Sequence, residues 1–493
     1  MRERPLAIAA FVILCSGLAV YQTLLIGNGT LELLAPEWLD RAFGNMMRHL
    51  VRGEFTVDRD VIAPESFTRN GETYTYFGIF PAFLRLLVSP VLDDANGGLA
   101  RLSCIVAMVS FVGLQVRTLW LTHCSLAPAA RSVALLAVTL AALCLSGPQI
   151  YLLASARIFH EPIFWSAAMG AAFNLIVLRV VLSQGIFTLR DLGFLATLSG
   201  LALNTRASVG VGLCLATTLI VVLVAWTARA AASAPRQPFG SARLPAAARS
   251  RSLLGTRVLT PLLILTFFAV IAGIVNYGRW DNPFRFADFH FYDYGSRRPI
   301  QMAAFLAHGD IDPGRIWISA LYYATGIPYL LKSTPPFSAY LSDHFWGLEA
   351  PPLSGLIVNP LLIVLAGIGL HGVFWRPANL PGTSIVPLRL VLAAHAVIIL
   401  LVCASMNAAM RYRMDFAPFV SLAAFAGYRE LGKAIADRSW RRMVVRCALA
   451  LCIIGIIGSH YFLVVHKVWA NDVPMEVRLK LSPYVPLARS AFQ

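Results

Sequence analysis

The chain has 493 residues, 58% hydrophobic and only 13% charged, whereas an ordinary soluble domain carries roughly a quarter charged residues. With a mean hydropathy of +0.68, it holds more apolar surface than a water-soluble fold can hide. The formal charge of +16 does not indicate nucleic acid, because the basic residues sit between apolar runs and no zinc-finger, helix-turn-helix or RNA-binding signature accompanies them; anionic membrane lipids are the natural partner. Seven of the eight Cys lie inside apolar runs with no CxxC pair, which excludes a disulfide framework or a Cys-ligated metal.

The first apolar run, Leu6 to Ile26, follows Arg2 and Arg4. It is too long for a signal-peptide core and lacks a small-residue cleavage site, so it predicts a retained span. Further runs at 99–121, 132–153, 162–182, 191–204, 208–228, 258–276, 354–374, 388–405, 414–428 and 445–466 compare with the roughly 20 residues a bilayer requires. The expected fold is an all-α polytopic membrane protein of about eleven transmembrane helices, with residues 1–466 as the membrane domain and 467–493 as an outer tail.

Lys and Arg mark cytoplasmic loops. The segment 229–257, with Arg229, Arg236, Arg243, Arg249, Arg251 and Arg257 and no acid, reads as a flexible cytoplasmic linker, and the stretch from Arg429 to Arg446 falls on the same side. The N-terminus is then cytoplasmic, and the long loops 28–98 and 277–353 lie outside. The runs at 191–204 and 414–428 supply only about 21 Å of helix against a core near 30 Å, so their outer ends are expected below the membrane surface.

The first outer loop opens with Glu32, Glu37 and Asp40, then spaces Phe43, Met46, Met47, Leu50 and Val51 near helical period. This predicts an amphipathic helix lying on the membrane, ended by Gly53. A charged stretch from Glu54 to Glu65, a turn at Asn70 and Gly71, and the string TYTYFGIFPAFLRLLVSP returning to the bilayer complete the loop. Acids in such a loop are usually solvated.

The turn after the third run carries Arg157, His160 and Glu161. Glu161 suits either the start of the next helix, where an acid is favoured, or a site on the same face as Asp40. Arg206, in the turn beside a short span, is expected at membrane depth, where an Arg costs about 2.5 to 3.5 kcal/mol and needs a partner such as a lipid phosphate. Arg411, Tyr412, Arg413 and Asp415 form another outer turn, in which Arg411 and Asp415 have the i, i+4 spacing of a helical pair or, alternatively, contact phosphate. The loop 277–353 is rich in aromatic residues, as an interfacial belt would be. No P-loop, HExxH or GxSxG pattern occurs, and no GxGxxG follows a strand.

The order of these features resembles the GT-C superfamily of membrane glycosyltransferases: an acid and amphipathic helix after the first span (Asp40 to Gly53), the segment Tyr74 to Pro81, a second acid between the third and fourth spans (Glu161), Asn276 to Phe284, and Arg411 to Pro418. Members of the protein mannosyltransferase and aminoarabinose transferase type often show an Asp-Glu pair after the first span, where this chain has Asp40 followed by Arg41. Glu37 and Glu32 therefore stand beside Asp40 as alternative bases.

The resemblance implies transfer of a sugar from a polyprenyl-phosphate donor to an envelope glycan, lipid or protein acceptor at the outer face of the membrane; the Ala, Arg and Leu bias of the composition points to the periplasmic face of a bacterial cytoplasmic membrane. Asp40 would act as general base, with Glu161 as the second catalytic acid. Arg206, Arg411 and Arg413 would hold the departing phosphate, and His160, Arg157 and Glu37 would support them. A divalent cation, Mg or Mn, is compatible with a bridge from Asp40 and Glu161 to that phosphate. A polytopic transporter or lipid flippase is the competing expectation, although repeated halves and compact loops, common in transporters, are not apparent.

Overall fold

Apolar segments that must satisfy every backbone N–H internally can cross a bilayer only as helices or closed barrels, and the chain takes the helical solution. The computed structural model describes all residues except 1–2, 64, 90–97, 234–243, 351–353, 376–384, 436–437, 470–472 and 486–493. Among the described residues, eight helices are long and apolar enough to cross a membrane: Ile8–Ile26, Leu99–Cys124, Val133–Ala154, His160–Leu182, Ala207–Ala230, Gly255–Trp280, Ile385–Ala404 and Trp440–Trp469. The three other expected spans are helical but shorter or more polar. Leu189–Leu203 and Pro360–Phe374 have 15 residues each, and Ala417–Ala434 has 18 and carries Arg429, Glu430 and Lys433 near its end.

The pair Pro360–Phe374 and Ala417–Ala434 shows why small residues sit where they do. A Cβ on Gly427 would lie 1.8 Å from the Leu365 carbonyl oxygen, and one on Gly369 would lie 1.9 Å from that of Ala423. The two backbones touch directly, a packing that membrane helices achieve only with small side chains at the contact.

The loop after the first helix is more structured than its charge suggests. The amphipathic helix forms as Arg41–Val51, and the chain turns at Gly53 with φ +79°. On its apolar face Phe43 and Met46 are buried in a cluster with Val57, Ile62 and Phe77, while Val51 is exposed. Asn70 and Gly71, both at positive φ, close a hairpin in which Phe67–Arg69 pairs antiparallel with Glu72–Tyr74, as a two-residue Asn-Gly loop favours. The hairpin reaches the second long loop through a bridge between Phe67 and Tyr292, hydrogen bonds from Ser66 and Thr68 to Asp293 (2.6 and 2.9 Å), and an Arg69–Asp281 ion pair. Loops 28–98 and 277–353 thus meet over one end of the bundle.

Of the expected linker, residues up to Ser233 continue one helix and those from Leu244 begin the next; 234–243 lie outside the described residues. Its Ala and Arg content, which suggested a flexible segment, also has high helix propensity. In the tail, Met475–Leu481 is a short helix.

Candidate functional site

Beneath the joined loops lies a cavity of about 1100 Å³. One wall is the turn between two helices, Asn204 to Ser208; another is the turn at Arg411 and Tyr412, and the roof is drawn from both long loops. The segment Tyr76 to Ile79 lies against the first wall so closely that a Cβ on Gly78 would sit 2.4 Å from the Asn204 carbonyl oxygen, which in turn accepts from Phe80 N at 3.0 Å. Only glycine fits at such an approach.

Six arginines line the cavity (Arg157, Arg206, Arg279, Arg285, Arg298 and Arg411) against three carboxylates, Glu65, Asp310 and Glu349. Arg206 Nε lies 2.6 and 2.7 Å from the two oxygens of the buried Asp415. Its terminal nitrogens make no protein hydrogen bond among the described residues. Arg411 pairs with Glu349, whose other oxygen accepts from Met410 N at 2.9 Å. Both guanidinium groups approach the Tyr412 ring, at 4.6 Å for Arg206 and 5.2 Å for Arg411, and Arg411 also lies 4.5 Å from the Phe159 ring. Stacking of this kind holds a cation in place while leaving its edge free for hydrogen bonds.

The expected Arg411–Asp415 pair does not form. Residues Met410–Phe416 are a 3-10 helix, and at three residues per turn positions i and i+4 no longer share a face. Each member instead finds a distant partner, Glu349 or Arg206.

The remaining expected site residues lie away from the cavity lining. Asp40 is buried, and its Oδ2 accepts the backbone N–H groups of Glu37 (2.7 Å) and Gly98 (2.8 Å), so it ties two chain segments together. Both oxygens of Glu161 are held by Arg85 at 2.8 Å, and Oε1 also accepts from Ser103 at 2.5 Å. Glu37 pairs with Arg101, which donates further to the Glu32 carbonyl at 3.0 Å. His160 Nδ1 contacts the Ser155 carbonyl at 2.7 Å, and Arg413 donates to the Tyr322 carbonyl at 3.2 Å. With Glu161 saturated and Asp40 committed to two amides, these carboxylates do not fit a bridging Mg or Mn ion. Of the residues expected at the site, the cavity gathers Arg157, Arg206 and Arg411.

Glu65 is the cavity carboxylate that sequence patterning did not distinguish from its solvated neighbours. Tyr292 donates to its Oε2 at 3.3 Å. Burial pushes its carboxyl above the usual range, opposed in part by Arg411, the Tyr292 hydroxyl and Arg298. Burial likewise raises Asp310, with Arg285 opposing. Six aromatic residues of the second loop line the cavity: Phe284, Phe286, Phe289, Tyr292, Tyr294 and Trp346. A second, apolar groove of about 290 Å³ shares Ile79 and Val275 with the cavity and is otherwise walled by residues such as Met47, Phe55, Phe83 and Ile274.

No family profile and no curated protein matches the chain. Among solved structures it is similar to the archaeal oligosaccharyltransferase AglB from Archaeoglobus fulgidus in complex with an inhibitory peptide and a dolichol-phosphate, at 15% identity and TM-score 0.43, covering 97% of this chain and 59% of that one. It is also similar to the oligosaccharyltransferase of the same organism in its apo form, at 13% identity and TM-score 0.45, covering 97% and 60%. The chain therefore spans less than two thirds of the length of these structures.

Proposed function

We propose that the protein is a membrane glycosyltransferase that moves a sugar from a polyprenyl-phosphate donor to an acceptor hydroxyl at the outer face of a bacterial cytoplasmic membrane. The observation that carries this reading is a cavity with six arginines against three carboxylates, beside an apolar groove lined by the amphipathic helix, the segment Ile79 to Leu86 and the membrane helix Gly255–Trp280. A lipid phosphate has this dual character: an anionic head bound to a tail that does not leave the bilayer. The groove accommodates the first part of the tail and the arginine wall receives the head. The aromatic faces of the second loop suit a sugar ring.

In the reaction, the acceptor oxygen bonds to the anomeric carbon as the bond from that carbon to the phosphate oxygen breaks. The bonding pair leaves with the polyprenyl phosphate, and the acceptor proton passes to a carboxylate. Phosphate is already a good leaving group, so one base suffices, unlike the paired carboxylates of glycoside hydrolysis. We assign that base to Glu65 in place of Asp40, because Glu65 lines the cavity and Asp40 does not. Arg206, its terminal nitrogens open, and Arg411 stabilise the charge that grows on the phosphate.

Arg206→Ala in detergent-purified protein tests the phosphate site: binding of a polyprenyl-phosphate donor weakens by roughly tenfold to a hundredfold, the range of one charge-assisted hydrogen bond. Normal donor affinity in a folded variant would remove Arg206 from the site. Deletion of the gene followed by mass spectrometry of envelope glycans identifies the acceptor, and an unchanged glycan profile would count against the transferase reading.

A further inference from the structure

The second long loop contains a cluster that the transferase reading does not use. His308 ends the helix Pro299–His308, Asp312 follows it by four residues, and His344 ends the helix Phe337–His344. One ligand atom from each lies within 4.8 Å of the others. The imidazole rings are nearly parallel, with centroids 4.3 Å apart, and Tyr340 stacks on the far side of His344 at 3.9 Å. His308 Nδ1 is 3.7 Å from Asp312 Oδ2, too long for a hydrogen bond. That oxygen is buried and makes no hydrogen bond, its contact to Arg315 Nε being 4.0 Å long, while its twin accepts from Gly314 N at 2.8 Å. A carboxylate oxygen without a hydrogen bond beside an imidazole nitrogen offers a small cation two ligand atoms.

We propose that His308, Asp312 and His344 bind one zinc ion. Ligands around a tetrahedral zinc lie roughly 3.3 Å apart for bonds near 2.0 Å; the cluster, whose atoms lie within 4.8 Å, closes on an ion when one imidazole turns out of the stack. Two imidazoles and one carboxylate favour zinc over magnesium or calcium, which prefer oxygen ligands. The outward-facing ring nitrogens already have the partners that orient metal-binding imidazoles. His308 Nε2 lies 3.3 Å from Asp343, and His344 Nδ1 lies 3.2 Å from both the Tyr340 carbonyl and Asp343. Arg315, fully buried, spends its N–H groups on the carbonyls of Gly309, Asp310, Ala404 and His344. It thereby sets the spacing of the segments that carry the ligands.

The consequence falls on the cavity. Asp310 and Ile311, between two of the ligands, line it, and Met406 N and the Ala404 carbonyl bond to this turn at 3.1 and 2.9 Å. Zinc would staple this rim of the roof. The inference stands on the cluster alone and does not depend on the transferase reading.

The test uses tag-free, full-length protein in detergent, stripped with EDTA and dialysed against zinc. One zinc per chain is expected, with cobalt giving the intense visible bands of a tetrahedral site. His308→Ala and Asp312→Asn each weaken zinc affinity at least tenfold, and zinc raises the melting temperature of the wild type but not of these variants. Asp312→Asn is isosteric and serves if His308→Ala fails to fold. No zinc retained by the wild type, or equal affinity in wild type and folded variants, overturns the proposal.

Discussion

Two charged regions meet the segment Tyr76 to Arg85, one at each end, and they are built from the same residue types to different ends. Away from the cavity lining, Arg85 grips both oxygens of Glu161 with side chains 3% and 1% exposed, while Asp40 and Glu37 tie down the chain around Gly98 and Arg101. At the cavity wall, Arg206 meets Asp415 only through Nε and its side chain stays 20% exposed. In the first region both oxygens of Glu161 are held by protein donors; in the second Arg206 keeps its terminal nitrogens for a ligand. Partner saturation, more than charge, separates scaffold from site.

The contrast is broken most directly at Glu65. Glu65→Gln is expected to slow sugar transfer by about two to four orders of magnitude, the contribution of a positioned general base, without loss of folded protein. Initial rates with a polyprenyl-phosphate donor measure this, and a loss below tenfold would take the base role from Glu65. On the scaffold side, Arg85→Ala strands Glu161 in a dry interior and is expected to cost about 3 to 5 kcal/mol of stability. Tryptophan fluorescence during thermal unfolding in detergent reads this, and an unchanged transition would show that the pair is not the brace described.

A smaller effect is expected at Asp40. Asp40→Asn keeps one acceptor oxygen for the Glu37 and Gly98 amides but loses the charge, for about 1 to 2 kcal/mol of stability, while the rate per folded molecule stays that of the wild type. A fall in rate comparable to that of Glu65→Gln would return Asp40 to the base role.

Glu65 must be ionised to accept a proton, so the rate should rise with pH through an inflection above the ordinary value of 4.5, from which burial raises its carboxyl. Folding carries the opposite sign. The contribution of a group with a raised native pKa is fully present below its unfolded value and is lost as pH rises through the folded value. Both the rate inflection and this stability loss should disappear in Glu65→Gln, as pH–rate profiles and unfolding curves of the two proteins can establish.

Much of the scaffold was legible because it rests on local patterns. Every apolar run corresponds to a helix, the amphipathic period at Phe43 to Val51 gave a helix stopped near Gly53, and Asn70–Gly71 made its turn. Part of the apolar face of this helix, at Phe43 and Met46, packs on Val57, Ile62 and Phe77, contacts that the local period does not reveal. The candidate site was less legible. Arg206 stood out by its cost beside a short span, but Glu65 looked like its neighbours Asp58 and Asp60.

Hydropathy along the chain by itself determined that this is a helical membrane protein with two long polar loops, because a bilayer tolerates backbone only when each segment satisfies its own hydrogen bonds. Only tertiary structure decided which charges are scaffold and which face a cavity. Arg206 finds Asp415 across 209 positions, and Arg85 finds Glu161 across 76. Burial and partner number are properties of such distant encounters, and no local spacing encodes them.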